Sequence, residues 1–355
     1  MRKVSGRNDE RAWEMDTNKK KKLVINVVIF LAIMVFTIWF VFRDEGVEAV
    51  MTAMRQMSVR HLLLAVLIAL FFVGAEGVMI WYLLRSIDGK SSLFSCISCS
   101  FIGFLFSGIT PSATGGQPMQ LYYLKKDGNS WSKSSVVLMT VALMYKLVLV
   151  LFGFGILLFW HEPLRGYLGK GYYRLFLLGL TLNTLLVVGL LMVMFTPSVI
   201  RFLISKAEWL AVRLHLIKKA GSKKARLDHF MGNYQSALTF LREHKGRMFV
   251  VLLGTVVQRA AVFALTYVVY RGMGMSGASL TTIMWLQAAV YIAVDMLPIP
   301  GAQGITEAMY RRAFLDIFTA GHVTASMCIS RGVSFYLMIV VGLVVTLYQF
   351  FIKKE

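Results

Sequence analysis

Six long apolar runs divide this chain, and each is long enough to cross a lipid bilayer as a helix. They are residues 23–42, 62–84, 136–160, 175–195, 248–270 and 333–352. A bilayer core takes about 20 apolar residues as a helix, which satisfies its own backbone hydrogen bonds. The composition agrees, because 57% of the residues are hydrophobic and only 16% are charged. We therefore predict an all-α polytopic membrane protein, which excludes a disordered chain, a collagen, a coiled coil and an ordinary cytosolic enzyme.

Positive charge indicates which segments face the cytoplasm. The formal net charge is +20, and Lys and Arg are concentrated in two segments. Residues 1–22 hold eight of them, and residues 197–247 hold eleven against three acids. The positive-inside rule places both segments in the cytoplasm. Within the second segment, residues 201–219 are either an amphipathic helix on the anionic inner leaflet or part of a solvated linker.

Two shorter apolar runs, 93–108 and 280–297, each end in a cluster of Pro and Gly, at 110–118 and 298–304. Four long runs, an even number, lie between the two basic segments, which keeps both segments on the same side of the membrane. A fifth crossing at 93–108 would place the eleven cations of residues 197–247 on the outer side. We therefore predict a re-entrant hairpin over 93–124. The same argument, with Lys353 and Lys354 inside, predicts a second hairpin over 280–318; the alternative is a full span at 280–297 and an outside C-terminus.

The chain then divides into two similar halves. The predicted domains are a basic N-terminus (1–22), a first membrane half (23–196), the basic segment (197–247) and a second membrane half (248–355). Residues 61–160 contain a long apolar run, a predicted hairpin and a second long run, and residues 248–352 contain the same three elements in the same order. The predicted topology gives the two units opposite orientations in the membrane. Paired Pro/Gly interruptions at corresponding places are typical of inverted-repeat transporters. We expect about six full spans and two re-entrant hairpins whose turns meet at a cavity; the alternative is two kinked helices that only pack.

Three ionisable residues lie inside the long runs: Glu76, Lys146 and Arg259. Each costs about 2.5–3.5 kcal/mol on insertion scales, so each is expected to have a partner or a function. One hypothesis is a buried structural pair, either Glu76 with Arg259 or Glu76 with Lys146. The other is that Arg259 binds an anionic headgroup and that Glu76 is its counter-ion when the site is empty.

The second turn is followed by further charges. Glu307 and Arg311 are four residues apart, so they share a helix face and can pair. Arg311 and Arg312 either extend to the outer interface or join Arg259 in binding a phosphate, which guanidinium binds in a bidentate manner.

The turns themselves suit an anion. Each returning helix is predicted to begin at glycine, at Gly115 and Gly116 or at Gly304, with its N-terminus pointing into the membrane. Free N–H groups and the positive end of the helix dipole favour an anion at such a place. Nearby hydroxyl groups are Thr110, Ser112, Thr114 and Thr306.

Other classes of site lack a pattern in this sequence. There is no P-loop, no arrangement of Ser, His and Asp, and no metal-ligand spacing among the six histidines. Cys96 and Cys99 form a Cys-x-x-Cys in an apolar run, for which we expect packing. We therefore expect no cofactor and no metal.

At the two turns the chain resembles the transmembrane region of lysylphosphatidylglycerol synthases. The resembling stretches are Thr-Pro-Ser-Ala-Thr-Gly-Gly-Gln-Pro-Met-Gln at 110–120, Leu-Tyr-Tyr-Leu at 121–124 and Pro-Ile-Pro-Gly-Ala-Gln-Gly-Ile-Thr-Glu at 298–307. The positions that match the family are Pro111, Gly115, Gly116, Pro298, Gly301, Gly304 and Glu307. Many relatives carry Glu after the first glycine pair, where this chain has Gln117 and Pro118.

The resemblance implies a bacterial inner-membrane protein that moves or binds a phospholipid or lipid-linked headgroup. The positive-inside rule places both of its termini in the cytoplasm. In multiple peptide resistance factors, the antibiotic-resistance members, this region resembles the flippase half, which exposes aminoacylated phosphatidylglycerol on the outer leaflet. Their lysyltransferase domain is cytosolic and C-terminal, and this chain ends at Glu355 just after its last run.

Three functions follow as hypotheses. The first is a lipid flippase for an anionic or aminoacylated phospholipid or a lipid-linked headgroup. The second is a phosphatidylglycerol lysyltransferase or its membrane subunit, although an enzyme is the less favoured expectation. The third is a partner that presents lipid to a separately encoded transferase. The expected partners are the lipid and the anionic inner leaflet; nucleic acid enters only as aminoacyl-tRNA through a partner, and the oligomeric state stays open.

Overall fold

The computed structural model describes residues 57–110, 113–196, 243–318 and 322–351, with isolated positions within 52–55 and 202–239. The predicted run at 23–42, Pro111, Ser112 and most of the basic segment 197–247 lie outside the described residues. So do the two terminal lysines, Lys353 and Lys354.

Every regular element in the described residues is helical. Ten α-helices are α1 Val59–Ser86, α2 Leu93–Ile109, α3 Gly116–Lys126, α4 Trp131–Phe159, α5 His161–Phe195, α6 Lys245–Gly272, α7 Leu280–Val294, α8 Ile305–Phe314, α9 Val323–Arg331 and α10 Met338–Phe351. A 3-10 turn, Pro300–Ala302, lies between α7 and α8. A π-helical segment, Gly332–Leu337, joins α9 to α10.

Five helical stretches in the described ranges are long and apolar enough to cross a membrane. They are α1, α4, α6, His161–Met194 of α5, and Val323–Gln349 across α9, the π segment and α10. Large apolar side chains point outward from them, including Leu67 at 62% exposure and Phe159 at 82%. Such exposure suits contact with lipid, so the chain is an integral membrane protein.

All five stretches begin earlier than their apolar runs, and two of them do so by at least ten residues. Helix α5 begins at His161 and bends at Gly169, whose φ of 69° breaks the helical geometry. The last stretch begins at Val323, because α9 precedes the π segment. The sequence missed both extensions because glycines and polar residues interrupt the hydropathy there.

Helices α1 and α6 form an antiparallel pair at the centre of the described residues. At one end, Ser58 N donates to Gly272 O at 3.1 Å. In the middle, the Gln258 side chain donates to Phe72 O at 2.5 Å. Gln258 is buried, so this bond satisfies a polar group that would otherwise destabilise the interior.

Helices α2 and α3 pack as an antiparallel hairpin. Near their outer ends, the Ser95 hydroxyl donates to the Asp127 carboxylate. Near the turn, Gly116 lies so close to Gly103 O and the Ser107 hydroxyl that it has no room for a side chain. The chain therefore returns along α2 after the turn, and both ends of the hairpin lie together.

Helices α7 and α8 form a second hairpin beside α5. Gly179 of α5 contacts Ile292 and Ala293 near the end of α7. Arg312, near the end of α8, donates to Gly166 O at 3.2 Å, close to the start of α5. Trp285, in the first half of α7, lies beside Gly155 near the end of α4, which connects directly to the start of α5. The first half of α7 and the end of α8 therefore both lie toward the start of α5, so α8 runs back toward the end from which α7 came.

The packing of α7 on α5 predicts that Gly179→Ala destabilises the fold. A Cβ there would lie 2.6 Å from Ala293 Cα and 2.9 Å from Ala293 O, and backbone atoms cannot yield as a flexible side chain can. We expect a loss of about 1–3 kcal/mol, which is typical of overpacking. The measurement is the thermal denaturation midpoint in detergent.

The matched control is Gly189→Ala on the same helix, where no atom lies within 4 Å of an added Cβ. It should denature at or slightly above the wild-type midpoint, because Ala favours helix over Gly. Equal midpoints for the two variants would contradict the described contact between α5 and α7.

Candidate functional site

A cavity of about 690 Å³ lies where the two hairpin turns approach one another. Side chains from α1, α4, α6 and the π segment complete its walls. The first hairpin contributes Gly103, Ser107, Thr114 and Gln117, and the second contributes Leu297, Ile299, Gly301 and Thr306. Both Pro/Gly turns thus line one cavity.

Phe335, in the π segment, lies between the two turns. Its ring centroid is 6.1 Å from that of Phe104 on α2, in an edge-on arrangement. On the other side, a Cβ on Gly301 would lie 2.6 Å from the Phe335 ring. Gly301 also has a φ of 59°, which few other residues adopt. The second turn therefore needs glycine here for both conformation and close approach.

Arg259 faces the cavity from α6 and is 6% exposed. Its guanidinium carbon lies 3.7 Å from the ring centroid of Tyr145 and 4.7 Å from that of Phe72. Two aromatic rings therefore hold the planar cation by cation–π attraction. Its Nε has no hydrogen-bond partner, and the ion pairs and hydrogen bonds of the described residues include none from Arg259. A buried cation so arranged can bind an anion.

Lys146 is neutralised by the second hairpin. Its ammonium group forms an ion pair with Asp295, which directly follows α7, and both side chains are 12% exposed. The Tyr145 hydroxyl donates to the other oxygen of the same carboxylate. Asp295 thus connects the second turn to α4.

Arg331 is neutralised on the opposite side of that turn. Its Nε lies 2.9 Å from the Glu307 carboxylate, in an ion pair whose alignment does not make a hydrogen bond. Another guanidinium nitrogen donates to Gly301 O at 3.1 Å. The Glu307 carboxylate also accepts from Gly304 N at 2.6 Å. The N-terminus of α8, predicted to favour an anion, is therefore capped by its own acid.

Glu76 lines the cavity from α1 and accepts a hydrogen bond from the Gln120 side chain at 2.7 Å. It lies within electrostatic range of Arg259 without forming an ion pair. The structure thus forms neither predicted pair, Glu76 with Arg259 or Glu76 with Lys146. Lys146 forms its ion pair with Asp295 instead, and Glu76 accepts a hydrogen bond from Gln120.

The predicted arginine cluster does not form around the cavity. Arg311 and Arg312 lie outside its lining, and Arg311 is exposed. Arg312 pairs with Asp316 at 3.6 Å. Both arginines follow the turn by more than one helical turn, which carries them away from its tip. Arg331 of α9 lies beside the turn instead.

The first turn uses its predicted residues for packing. Gly115 N donates to the Thr110 hydroxyl at 2.8 Å, so Thr110 closes the turn. Gly115 and Gly116 lie against α2 and do not line the cavity. The turn residue Thr114 does line it, whereas Pro111 lies outside the described residues. In the second turn, Pro298 is exposed and outside the lining, and Gly304 has a φ of 79°.

Sequence analysis assigned no role to Tyr145, Asp295 or Arg331, which the structure places at the cavity. Ionisable residues at membrane depth are costly and usually have a partner or a function. Asp295 and Arg331 flank apolar runs, so this argument could have identified both. Nothing in the sequence marks Tyr145 among the apolar residues of α4. No group of three His, Cys, Asp or Glu side chains within the described ranges could hold a metal ion.

The ion pair of Lys146 with Asp295 predicts that Asp295→Asn destabilises the fold. The change leaves a largely buried ammonium group without a counter-ion, which typically costs about 3–5 kcal/mol. The exposed pair of Arg312 with Asp316 supplies the control, since Asp316→Asn should cost about 1 kcal/mol or less. Denaturation in detergent measures both.

Combining Lys146→Met with Asp295→Asn should recover much of the loss, because no unpaired charge remains. If Asp295→Asn behaved like Asp316→Asn, the buried pair would not have the described environment.

Comparison with known proteins adds a family. Residues 24–342 match the protein family described as Lysylphosphatidylglycerol synthase TM region. No curated protein compared with the chain matches it. The match covers most of the 355 residues and includes both turns and every cavity residue named above. The chain therefore belongs to the lysylphosphatidylglycerol synthase TM region family.

Proposed function

We propose that this protein is a membrane lipid transporter, a flippase. It binds the headgroup of an anionic or aminoacylated phospholipid, or of another lipid-linked substrate, in the cavity between the two turns. Membership of the lysylphosphatidylglycerol synthase TM region family supports a function connected with membrane lipids. The cavity supports binding of a headgroup, since 690 Å³ is within the usual range of ligand pockets, about 300–1,000 Å³.

The observation that carries the proposal is the state of Arg259. The other two cavity cations, Lys146 and Arg331, are paired with acids. Arg259 is buried, held between two rings and without a hydrogen bond from its Nε. Burying a cation in this way is costly, and a phosphate that accepts hydrogen bonds from the guanidinium would offset the cost. Glu76 is then the counter-ion of the empty site.

The proposed architecture follows the same hypothesis. Residues 23–42, which lie outside the described residues, are predicted from their sequence as a sixth span, and the two hairpins are proposed to enter the membrane from opposite sides and return. The antiparallel contact of α2 with α3, the contacts of α7 and α8 along α5, and the meeting of both turns at one cavity support this arrangement. A site between two inverted halves can be exposed to each leaflet in turn. The proposed location is the bacterial inner membrane, with both termini cytoplasmic.

The family description also favours a second candidate, phosphatidylglycerol lysyltransferase or its membrane subunit. The purified chain is incubated with lysyl-tRNA and phosphatidylglycerol to test it. Formation of the lysyl ester would establish the enzyme, whereas no product would remove it as an activity of this chain alone.

Arg259 substitutions test the transporter. Proteoliposomes containing only this chain receive fluorescent phosphatidylglycerol, its lysyl ester or an undecaprenyl phosphate lipid, and a membrane-impermeant quencher reports the leaflet. The wild type should move at least one of them. Arg259→Ala should weaken its apparent affinity roughly ten- to hundredfold, because a hydrogen bond to a charged group contributes about 1.5–3 kcal/mol.

Arg259→Lys should restore only part of the function, since an ammonium neither stacks between rings nor binds phosphate in a bidentate manner. Arg312→Ala is the control, because Arg312 lies outside the cavity. Wild-type lipid movement by Arg259→Ala, or equal losses in Arg259→Ala and Arg312→Ala, would contradict the proposed site.

A further inference from the structure

The charges around the cavity balance in the described part of the chain. Three cations, Lys146, Arg259 and Arg331, face three acids, Glu76, Asp295 and Glu307. Two cations are in direct ion pairs with acids from the second hairpin. Arg259 and Glu76 remain, one cation and one acid that line the same cavity without forming an ion pair.

Because the charges of the empty site balance, the net charge of a bound headgroup determines the net charge of the occupied site. A phosphodiester bound at Arg259 leaves the site with one excess negative charge, on Glu76. An uncompensated charge in a low-dielectric, membrane-embedded site is costly. A headgroup that carries its own ammonium avoids this cost. A monoanionic headgroup does not, so a positive charge must enter the site with it.

Glu76 is the group that can accept that charge. The neighbouring elements present to it Cys99 from α2, Gln120 from α3 and Arg259 from α6. Arg259 stabilises the ionised carboxylate only while no phosphate neutralises the guanidinium. Lys146 cannot take over that role, because it remains paired with Asp295.

We propose that Glu76 is a proton-binding subsite, which takes up a proton when a monoanionic headgroup binds at Arg259. The inference rests on the proposed lipid function. It divides substrates into two classes: lipids such as phosphatidylglycerol bind together with a proton, and zwitterionic lipids bind without one. Movement of an anionic lipid is then coupled to movement of a proton.

Calorimetric titration of the full-length protein in detergent tests the subsite. Short-chain phosphatidylglycerol and short-chain phosphatidylethanolamine are titrated in two buffers of different ionisation enthalpy, which counts the protons taken up per lipid bound. We expect about one proton with phosphatidylglycerol and none with phosphatidylethanolamine. The affinity for phosphatidylglycerol should also fall as the pH rises, by at most about tenfold per pH unit, because each binding event consumes a proton.

Glu76→Gln identifies the residue. Glutamine can still accept the hydrogen bond from Gln120, so the local contact is kept. This variant should bind phosphatidylglycerol without proton uptake and with an affinity that no longer depends on pH. Glu162→Gln is the matched control, since Glu162 is exposed and outside the cavity; it should take up the proton as the wild type does.

Binding of phosphatidylglycerol by the wild type without proton uptake would overturn the subsite and leave the proposed transporter intact. Unchanged proton uptake in Glu76→Gln would do the same. Binding with proton uptake but no lipid movement in proteoliposomes would support the subsite and overturn only transport. If neither lipid bound, the subsite would be overturned; if the lysyl ester and an undecaprenyl phosphate lipid did not bind either, the lipid function would be overturned as well.

Discussion

Backbone polar groups that leave a helix inside a bilayer must be covered by protein or face a water-filled cavity. In the membrane arrangement that we propose, both Pro/Gly turns of this chain carry such groups. In the first turn, the Thr110 hydroxyl accepts a hydrogen bond from Gly115 N. In the second turn, the Arg331 guanidinium donates a hydrogen bond to Gly301 O. Phe335 fills the space between them. In this proposed arrangement, both turns lie within the bilayer, and the cavity lies where they approach one another.

The same region concentrates the membrane charges, and the second hairpin neutralises two of the three cations. Asp295 and Glu307 flank its turn, and each pairs with a cation from a different long stretch. The turn is thereby held from both sides, while Arg259 lies between two aromatic rings with its Nε unpaired. We propose that a site built in this way favours a phosphate over a neutral ligand, which connects the geometry to the proposed lipid function.

The sequence predicted what depends on local pattern. Apolar runs predicted the five stretches that can span a membrane, and the Pro/Gly clusters predicted both turns. Pairings across about 150 residues were beyond it, since helical spacing tells which face a residue occupies but not what faces it. Helical spacing therefore allowed Glu307 to pair with Arg311, whereas in the structure Glu307 pairs with Arg331. The family motif indicated four glycines, of which Gly115, Gly116 and Gly304 serve packing and turn geometry and only Gly301 lines the cavity.

The proposed function depends on where the phosphate of the lipid binds. The most direct measurement is an electron cryomicroscopy structure of the protein in nanodiscs that contain phosphatidylglycerol, compared with the same preparation of Arg259→Ala. We expect density for a headgroup in the cavity between the two turns, with phosphate oxygens within hydrogen-bond distance of Arg259. We expect no headgroup density in the cavity of the variant. A cavity without lipid in both preparations, or a phosphate bound elsewhere with Arg259 unengaged, would contradict the proposed function.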